Sequence, residues 1–437
     1  MILLNLLYLR IEKCVKMSNY KFNINNYHSI SNADIAINGI TVLSGINGCG
    51  KSTIGRWLYY VVNHLSNFEN DVEADCIAYI KSKIESWEKI LPSNYNKLTY
   101  SQLQDTTDIK QYFKIWQNGF SRLLSEFLSK EKNVENRQRI LKYLEINAGA
   151  SEDGVAVSKK FINKSENEIE LIYNHFEKIA SNRISIDFFN YLQKKYVVSE
   201  SHPENISLKE DNVEILGQTI GNLLYLQSAV FVDTPMFLSV NGDDNLIWAD
   251  VKKKIMQTSS QPKNQIKKIS DEISDILHGR FIVQKNPYYG NEELKFISNN
   301  NESLDVENVA TGFKTFAYIQ RLIETSNLNE KSLLIIDEPE AHLHPDWIFE
   351  YARILTMIYR TLGTKIVIAT HNPDMVSAMQ TITEKEGVLS NTNFYIAQKN
   401  TSGKFDYKSL SGDTEDIFKS FNVALDKIEE YAAGNRQ

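Results

Sequence analysis

The sequence is poor in cysteine and carries no excess of basic charge. Its three cysteines, Cys14, Cys49 and Cys76, are an odd number without metal-ligand spacing, which favours free thiols in a reducing, cytoplasmic compartment. The formal net charge of −7 provides no general attraction to nucleic acid or to an anionic membrane. Any such contact would need a local basic patch.

Long apolar runs, internal repeats and low-complexity tracts are also missing. The opening run MILLNLLYLRIEKCVKM, residues 1–17, is too short to span a bilayer, follows no basic region and has no small-residue cleavage site. We interpret it as a docked or frayed extension, with Met17 as an alternative start, and expect no membrane partner. The 437 residues, 42% hydrophobic and 24% charged, are enough for one large or two ordinary globular domains.

A glycine-rich loop at 45–52 carries the strongest functional signal. Its sequence GINGCGKS fits the pattern G-x-x-x-x-G-K-[ST] of a phosphate-binding loop, or P-loop. The β-branched run ITVLS (40–44) predicts a strand before it, and a helix is predicted after it. The apolar residues of that helix recur at helical spacing: Ile54, Trp57, Leu58, Val61, Val62 and Leu65. The loop N–H groups and the helix start can bind phosphate oxygens, while Lys51 can reach the terminal phosphates and Ser52 can ligate magnesium.

Two further apolar runs end in residues suited to nucleotide hydrolysis. The run LLIIDEPEAHLHP (333–345) ends its apolar part at Asp337 and Glu338. The run KIVIAT (365–370) is followed by His371. Unbroken apolar runs indicate parallel strands buried on both faces, and ligands bind at the carboxyl ends of such strands. We expect Asp337 to hold magnesium, Glu338 to polarise the attacking water, and His371 to contact the terminal phosphate or that water.

These motifs, together with a fourth one, carry a family resemblance. The fourth lies in NVATGFKTFAYIQRLI (308–323), which predicts a small-residue loop that opens a helix. The motifs GINGCGKST, VATGFK, LLIIDEPEAHLHP and IATHNPDMV together resemble those of ABC-type ATPases of the SMC, RecF and OLD-like group, bacterial AAA-family ATP-binding proteins. The resemblance implies an α/β fold, namely a P-loop ABC-type head with a mixed β-sheet and a helical insertion. It further implies an ATPase that uses ATP and Mg²⁺.

The resemblance also assigns roles to residues of this chain. Those that would bind phosphate and magnesium are Asn47, Gly48, Gly50, Lys51, Ser52 and Thr53. Asp337 would be the Walker B aspartate and a magnesium ligand, Glu338 the catalytic base, and His371 the switch histidine. Two such heads would join head to tail around two ATP molecules, as a homodimer or a larger even-numbered oligomer.

In that arrangement each site is completed by the signature loop of the other subunit. Thr311, Gly312 and Lys314 would act in trans on the partner's nucleotide. Ala310 stands where the family has a signature serine, and Thr311 offers a hydroxyl one residue later. The region 226–235 is the candidate for the Q-loop, although it carries Asp233 where a glutamine would be ordinary.

The chain is thereby divided into three parts. Residues 1–65 form the N-terminal part of the head with the P-loop, 66–220 a mainly helical insertion, and 221–437 the C-terminal part with signature, Walker B and switch histidine. Apolar residues recur at helical steps in the insertion: Ile109, Tyr112, Trp116, Phe120, Leu123 and Phe127. No heptad pattern is sustained, so we do not expect a long coiled-coil arm. After His371 we expect a hairpin and one helix, with no room for the nuclease domain that OLD-family enzymes carry.

Two clusters have alternative interpretations. Glu340, His342 and His344 could hold zinc, but the resemblance places them in the D-loop between the two sites, which we favour. The lysines within 250–268 could contact nucleic-acid phosphates, although a solvated helix face is the favoured interpretation.

Three classes of function therefore stay open. The first is an ATP-driven conformational switch that acts on a separate effector, a nuclease, in anti-phage defence. The second is a DNA-repair or DNA-organising ATPase, and the third is the nucleotide-binding subunit of a membrane transporter. The sequence favours the first and disfavours the third, because DEPEAHLHP (337–345) and the helical insertion do not resemble transporter heads.

Overall fold

A computed structural model describes residues 18–92, 108–196, 203, 205–239, 245–257, 264–286, 290, 292–410, 414–421 and 431. The opening run 1–17, residues 258–263 of the lysine-rich segment and the predicted C-terminal helix beyond 421 lie outside this part of the chain. The chain forms two compact units. We call Met1–Ser66 with Ser185–Gln437 the sheet unit, and Asn67–Ile184 the helical unit.

Within the described residues, the sheet unit contains two β-sheets. The strands are β1 (Tyr20–Tyr27), β2 (Ile30–Ile37), β3 (Ile40–Ser44), β4 (Asn205–Glu210), β5 (Val213–Leu216), β6 (Ser228–Val232), β7 (Gly279–Lys285), β8 (Glu292–Ser298), β9 (Ser303–Asp305), β10 (Ser332–Asp337), β11 (Lys365–Thr370), β12 (Thr392–Lys399) and β13 (Phe405–Leu410). Ten strands form one mixed sheet in the order β5-β4-β1-β2-β13-β12-β3-β11-β10-β6, while β7, β8 and β9 form a small sheet. Strands β12, β3, β11, β10 and β6 are parallel neighbours.

The helices cover the sheet and build the second unit. They are α1 (Lys51–Leu65), α2 (Phe68–Glu88), α3 (Ile109–Lys130), α4 (Val134–Tyr143), α5 (Gly154–Asn182), α6 (Ser185–Tyr196), α7 (Leu246–Met256), α8 (Asn264–Leu277), α9 (Thr311–Glu324), α10 (Pro345–Leu362), α11 (Pro373–Lys385) and α12 (Glu415–Phe421). Short 3-10 turns lie at Pro235–Ser239, Val306–Asn308, Pro339–His342 and Leu389–Asn391. No helix among the described residues combines the length and the apolar character needed to cross a bilayer.

The central strands β3, β10 and β11 are buried at every residue. Parallel strands require this when helices cover both faces of the sheet, which is why they read as unbroken apolar runs. Helix α1 packs closely on this part of the sheet. A Cβ added to Gly55 would lie 2.9 Å from the ring of Phe231 on β6 and 3.1 Å from Ile335 on β10, so glycine permits the close approach of helix and sheet.

After His371 the predicted hairpin is present as β12 and β13. The two strands pair antiparallel, with Phe394 opposite Leu410. Strand β13 then pairs parallel with β2, while β12 pairs parallel with β3. This hairpin therefore joins the antiparallel part of the large sheet to the strand that precedes the P-loop.

The helical unit has its own core. The rings of Trp87 and Trp116 stack with centroids 5.6 Å apart, and Phe161 meets Trp87 edge to face. The predicted apolar positions Trp116, Phe120 and Leu123 are buried there. The region 66–220, which the sequence assigns to the insertion, extends beyond this unit: residues 205–216 form β4 and β5 of the large sheet, where Leu208 pairs with Phe22 of β1.

Candidate nucleotide and magnesium site

Three neighbouring parallel strands, β3, β11 and β10, end at the same edge of the large sheet. Ser44 at the end of β3 pairs with Thr370, and Ala369 pairs with Asp337. The backbone N–H of Glu338 donates to the carbonyl of Ala369 at 2.8 Å. The P-loop, the Asp-Glu pair and His371 therefore follow directly from adjacent strand ends.

The P-loop has a shape that needs glycine. Gly48 and Gly50 have φ angles of +80° and +101°, in the left-handed region that residues with a Cβ disfavour. A Cβ on Gly50 would also lie 2.6 Å from the side chain of Ile30. Helix α1 begins at Lys51, so the loop leads into a helix start whose free N–H groups can bind an anion.

Lys51 is buried at the base of this loop, with 4% of its surface exposed. Its ammonium group donates to the carbonyl oxygens of Gly45 at 2.8 Å and Ile46 at 3.1 Å. Within the P-loop, Asn47 and Gly48 are exposed, while Ser52 and Thr53 are partly buried. The positive charge of Lys51 is thus held beneath the loop that would receive a phosphate.

Ser52 and Asp337 form the candidate magnesium site. Burial raises the pKa of Asp337, and a hydrogen bond from Ser52 acts in the opposite direction. The carboxylate atom Oδ1 of Asp337 is buried and has no hydrogen-bond partner. A hydroxyl oxygen beside an unpaired carboxylate oxygen is a donor set that suits Mg²⁺, which prefers hard oxygen ligands. The residues present therefore fit the ion.

Glu338 follows Asp337 in a left-handed backbone conformation, with φ 48° and ψ 55°. That conformation costs about 1–3 kcal/mol for a residue other than glycine and occurs often at functional sites. The side chain of Glu338 is 37% exposed, and its Oε1 lies 3.0 Å from Nδ1 of His371, whose side chain is 40% exposed. The strained turn thus places a carboxylate and an imidazole side by side at the accessible edge of the sheet.

The predicted signature residues Thr311 and Gly312 lie at the start of α9. Thr311 is partly buried and its hydroxyl lies 3.9 Å from Sδ of Met236. Gly312 packs against the residues that follow β10, because an added Cβ would lie 3.1 Å from the carbonyl oxygen of His342 and 3.2 Å from the Trp347 ring. The signature turn and the predicted D-loop of one chain are therefore in direct contact.

Lys314 is not placed for the predicted contact with a partner's nucleotide. It is 3% exposed, and its ammonium group donates to Oγ of Ser239 at 2.7 Å and to the carbonyl of Glu307 at 3.1 Å. Burial lowers the pKa of Lys314, and the charge of Glu307 raises it. The side chain turns into its own subunit and ties the loop before α9 to the turn after β6.

Sequence reasoning missed Arg56 at this edge. Arg56 lies one helical turn after Ser52, and its guanidinium group is 3.6 Å from the carboxylate of Asp233, which follows β6. Trp248 donates to the same carboxylate at 2.9 Å. The i, i+4 spacing from Ser52 was the available signal, because such residues share one helix face.

The structure bears on both clusters for which the sequence left alternatives, the possible zinc ligands after Glu338 and the lysines within 250–268. Glu340 is buried, whereas His342 and His344 are exposed. Among the described residues, no group of three or more His, Cys, Asp or Glu side chains lies close enough to hold a metal ion. In the lysine-rich segment, Lys254 pairs with Asp250 at 2.7 Å and donates to a backbone carbonyl of the same unit.

Comparison with known proteins gives a family that fits this geometry. The AAA ATPase domain family matches residues 17–376. The chain belongs to this family. A P-loop before α1 and an acidic pair after a buried parallel strand are thus features of an AAA ATPase domain here. The predicted fold class is confirmed as an α/β P-loop fold with a mixed β-sheet and a separate helical unit.

Individual proteins resemble this AAA ATPase domain over limited stretches or at low identity. The Old nuclease of Escherichia phage P2 is 34% identical over 113 residues, which cover 24% of this chain and 19% of that relative. The chain thus matches about a fifth of that relative's length. An Smc head bound to the C-terminal winged-helix domain of ScpA is 13% identical with a TM-score of 0.38, covering 91% of this chain and 98% of that one. An ATP-binding cassette of an ABC transporter in its ADP conformation is 10% identical with a TM-score of 0.33, covering 96% and 100%.

Proposed function

We propose that this protein is a magnesium-dependent ATPase whose heads close around ATP and thereby switch a separate effector protein. The observation that carries the proposal is the convergence of the P-loop, Asp337, Glu338 and His371 on adjacent ends of β3, β10 and β11. Ligands of open α/β sheets bind at such an edge. Membership of the AAA ATPase domain family supports the choice of nucleotide.

The P-loop would hold the phosphates of ATP. The N–H groups of Gly48, Gly50 and the first residues of α1 would donate to phosphate oxygens, and Lys51 would neutralise charge on the β- and γ-phosphates. Ser52 and Asp337 would hold Mg²⁺ through their oxygens, which their contact with each other already brings together. When bound, the ion would offset negative charge on the phosphate groups during hydrolysis.

Glu338 and His371 would act on the reacting atoms. A water oxygen forms a bond to the γ-phosphorus as the bond to the bridging β,γ-oxygen breaks, which yields ADP and phosphate. The Glu338 carboxylate would orient this water and accept its proton. His371, 3.0 Å from that carboxylate, would contact the terminal phosphate or the water. A group at this position can report whether the γ-phosphate is present.

A second copy of the chain would complete each site. The N–H groups at Thr311 and Gly312 open α9 and could bind a γ-phosphate, whereas the P-loop of the same chain already leads into α1 for its own nucleotide. We therefore propose a homodimer, or a larger even-numbered oligomer, in which ATP joins each P-loop to the opposite signature turn. Hydrolysis would remove the bridging phosphate and separate the heads.

The effector in this proposal is a separate nuclease that acts in bacterial anti-phage defence in the cytoplasm. The motif resemblance to the OLD-like group and the partial similarity to the Old nuclease of phage P2 support a link to nucleic-acid cleavage. Cys49 and Cys76 are free thiols, which suits a reducing compartment. Nucleic acid is then a candidate partner of the protein.

The variant Glu338→Gln tests the ATPase. The amide has nearly the same shape as the carboxylate but cannot accept the proton, so turnover should fall by at least about 100-fold, the usual minimum for losing a general base. ATP binding, measured by calorimetry, should persist. The matched control is Glu384→Gln on the exposed side of α11, which should turn over ATP like the parent. Turnover of Glu338→Gln within about threefold of the parent, a rough allowance for scatter in such ratios, would contradict the assignment.

The effector is tested by affinity purification from the source organism. Tagged Glu338→Gln protein, which should stay closed around ATP, would be compared with tagged Lys51→Ala protein, which should not close. A nuclease enriched with one of the two variants supports the switch. Equal recovery of nuclease, or none, with both variants contradicts this part of the proposal and leaves the ATPase assignment unaffected.

A further inference from the structure

Glu340 is a buried carboxylate beneath the candidate site. Only 5% of its surface is exposed, and it lies in the 3-10 turn that follows β10. Its Oε1 accepts a hydrogen bond from the hydroxyl of Thr370 at 2.6 Å and another from the backbone N–H of His371 at 3.2 Å. Glu340 is therefore hydrogen-bonded to Thr370, the last residue of β11, and to His371, the first residue after it.

These contacts do not by themselves explain why the residue is a glutamate. Removing a carboxylate from water is costly unless its oxygens are well paired. Here Oε2 is buried without a hydrogen-bond partner, and burial raises the pKa of the carboxyl while the Thr370 hydrogen bond opposes that shift. A neutral amide could accept the same two hydrogen bonds at lower cost. The negative charge therefore needs a partner of its own.

That partner is the imidazole ring of His371. Its Nδ1 lies 3.7 Å from Oε1 of Glu340 and 3.0 Å from Oε1 of Glu338. The Nδ1 atom is buried and makes no hydrogen bond to either carboxylate, so charge proximity links the three groups, and 40% of the His371 side chain is exposed. Two carboxylates thus face one ring nitrogen, and negative charge beside a ring nitrogen favours a proton on it.

We propose that Glu340 is the positioning residue for His371. It accepts a hydrogen bond from the backbone N–H of His371 and so fixes the position of that residue. Its negative charge helps to keep a proton on Nδ1 of the ring. Nε2 is then the nitrogen that can contact the terminal phosphate or the attacking water. This inference rests on the proposed function, because it assumes that His371 faces the γ-phosphate. In this proposal Glu340 acts through His371 and contacts neither the nucleotide nor the attacking water.

A merely structural role predicts a different result from a positioning role. If Glu340 only held the end of β11, any change that weakened its hydrogen bonds would lower thermal stability and nothing else. If Glu340 positions the imidazole, loss of its charge should alter the proton on His371 and lower kcat while the KM for ATP changes little. Two variants separate these effects. Glu340→Gln keeps an acceptor oxygen and loses the charge. Thr370→Val keeps the charge and loses the hydroxyl, which donates to Glu340 and accepts from the backbone N–H of Asn372 at 3.0 Å.

The experiment combines steady-state kinetics with NMR of the full-length protein labelled with ¹⁵N in the histidine rings. His371 signals are assigned by their loss in His371→Gln. In the unsubstituted protein, Nδ1 of His371 should show the shift of a protonated ring nitrogen. In Glu340→Gln that signature should weaken, and kcat should fall about 10-fold or more with KM within about twofold, in line with lost transition-state positioning. Thr370→Val should keep most of the NMR signature and of kcat.

Three outcomes would overturn the inference. The first is an unprotonated Nδ1 in the unsubstituted protein, a result that needs no variant to fold. The second is an unchanged His371 signature together with a kcat within about twofold of the parent in Glu340→Gln, below any usual positioning effect. The third is an equal loss of kcat in Thr370→Val. Full turnover by Glu338→Gln would instead refute the proposed function, while the NMR result on His371 would still decide whether Glu340 orients the ring.

Discussion

The ammonium group of Lys51 donates a hydrogen bond to the carbonyl oxygen of Gly45 at 2.8 Å, across the P-loop that separates the two residues. A second hydrogen bond reaches the carbonyl of Ile46. The lysine side chain therefore links the start of α1 to the start of the loop by hydrogen bonds. Its positive charge is buried. The same charge is available to phosphate oxygens that the loop N–H groups would bind.

The variant Lys51→Ala should lose ATP affinity. Hydrogen bonds to charged groups contribute about 1.5–3 kcal/mol, so calorimetry should show a dissociation constant raised by roughly tenfold or more, at about 1.4 kcal/mol per factor of ten. The matched control is Lys385→Ala, an exposed lysine in the last turn of α11. Unchanged affinity in Lys51→Ala would mean that the loop does not hold the nucleotide.

Gly55→Ala should destabilise the sheet unit. The added methyl group would lie 2.9 Å from Phe231 and 3.1 Å from Ile335, so α1 or the sheet must shift. Overpacking of this kind costs about 1–3 kcal/mol, which urea unfolding can measure. Gly149→Ala is the control, because no heavy atom lies within 4 Å of its added Cβ. Equal stability of the two variants would show that α1 does not pack as described.

Removal of the buried hydroxyl groups of Tyr318 and Tyr351 should have non-additive effects on the free energy of unfolding. The two residues, on α9 and α10, are 1% and 0% exposed, and their hydroxyl groups hydrogen-bond to each other. Each single Tyr→Phe variant leaves one buried hydroxyl unpaired, at a cost of about 1–3 kcal/mol, while the double variant removes both groups and should cost clearly less than the sum. Urea unfolding of the four proteins measures the coupling. Strictly additive losses would contradict it.

The sequence predicts the site best where local pattern and burial coincide. Strands β3, β10 and β11 are buried at every residue, so each reads as an apolar run that leads directly into a part of the candidate site. Strand β4 was missed because its partner β1 lies far away in the sequence, with Leu208 opposite Phe22. Pairing between strands that are distant in the sequence leaves no local signal except a short alternation of apolar and polar residues.

The sequence could not predict in which direction the side chains of the candidate site point. The family resemblance placed Lys314 in the signature turn, but only the tertiary contacts with Ser239 and the Glu307 carbonyl turn its charge inward. Glu340 likewise stands beside two histidines in the sequence, which left zinc binding as an alternative to the favoured D-loop. Its burial against the end of β11, where Thr370 donates to it, depends on the order of strands in the sheet.

Closure of two heads around ATP can be tested by cross-linking between subunits, and the structure decides where the cysteines belong. Position 312 is unsuitable, because a side chain on Gly312 would press against the His342 carbonyl and the Trp347 ring of its own chain. Thr311 is partly buried and Asn47 is exposed. The changes Thr311→Cys and Asn47→Cys therefore place thiols on the two surfaces that the shared-site model brings together.

Each cysteine is introduced separately into Glu338→Gln protein, and the two proteins are mixed. A cross-linked dimer that contains both chains should form with ATP and magnesium, since closure joins the Asn47→Cys loop of one chain to the Thr311→Cys turn of the other. Either protein alone should give little cross-linked dimer, which controls for Cys49, a buried thiol of the P-loop. Dimers held through another surface would persist without ATP and would not cross-link at these positions. If ATP does not increase the mixed cross-link, the signature turn does not complete the partner's site, and the ATPase must work within one chain.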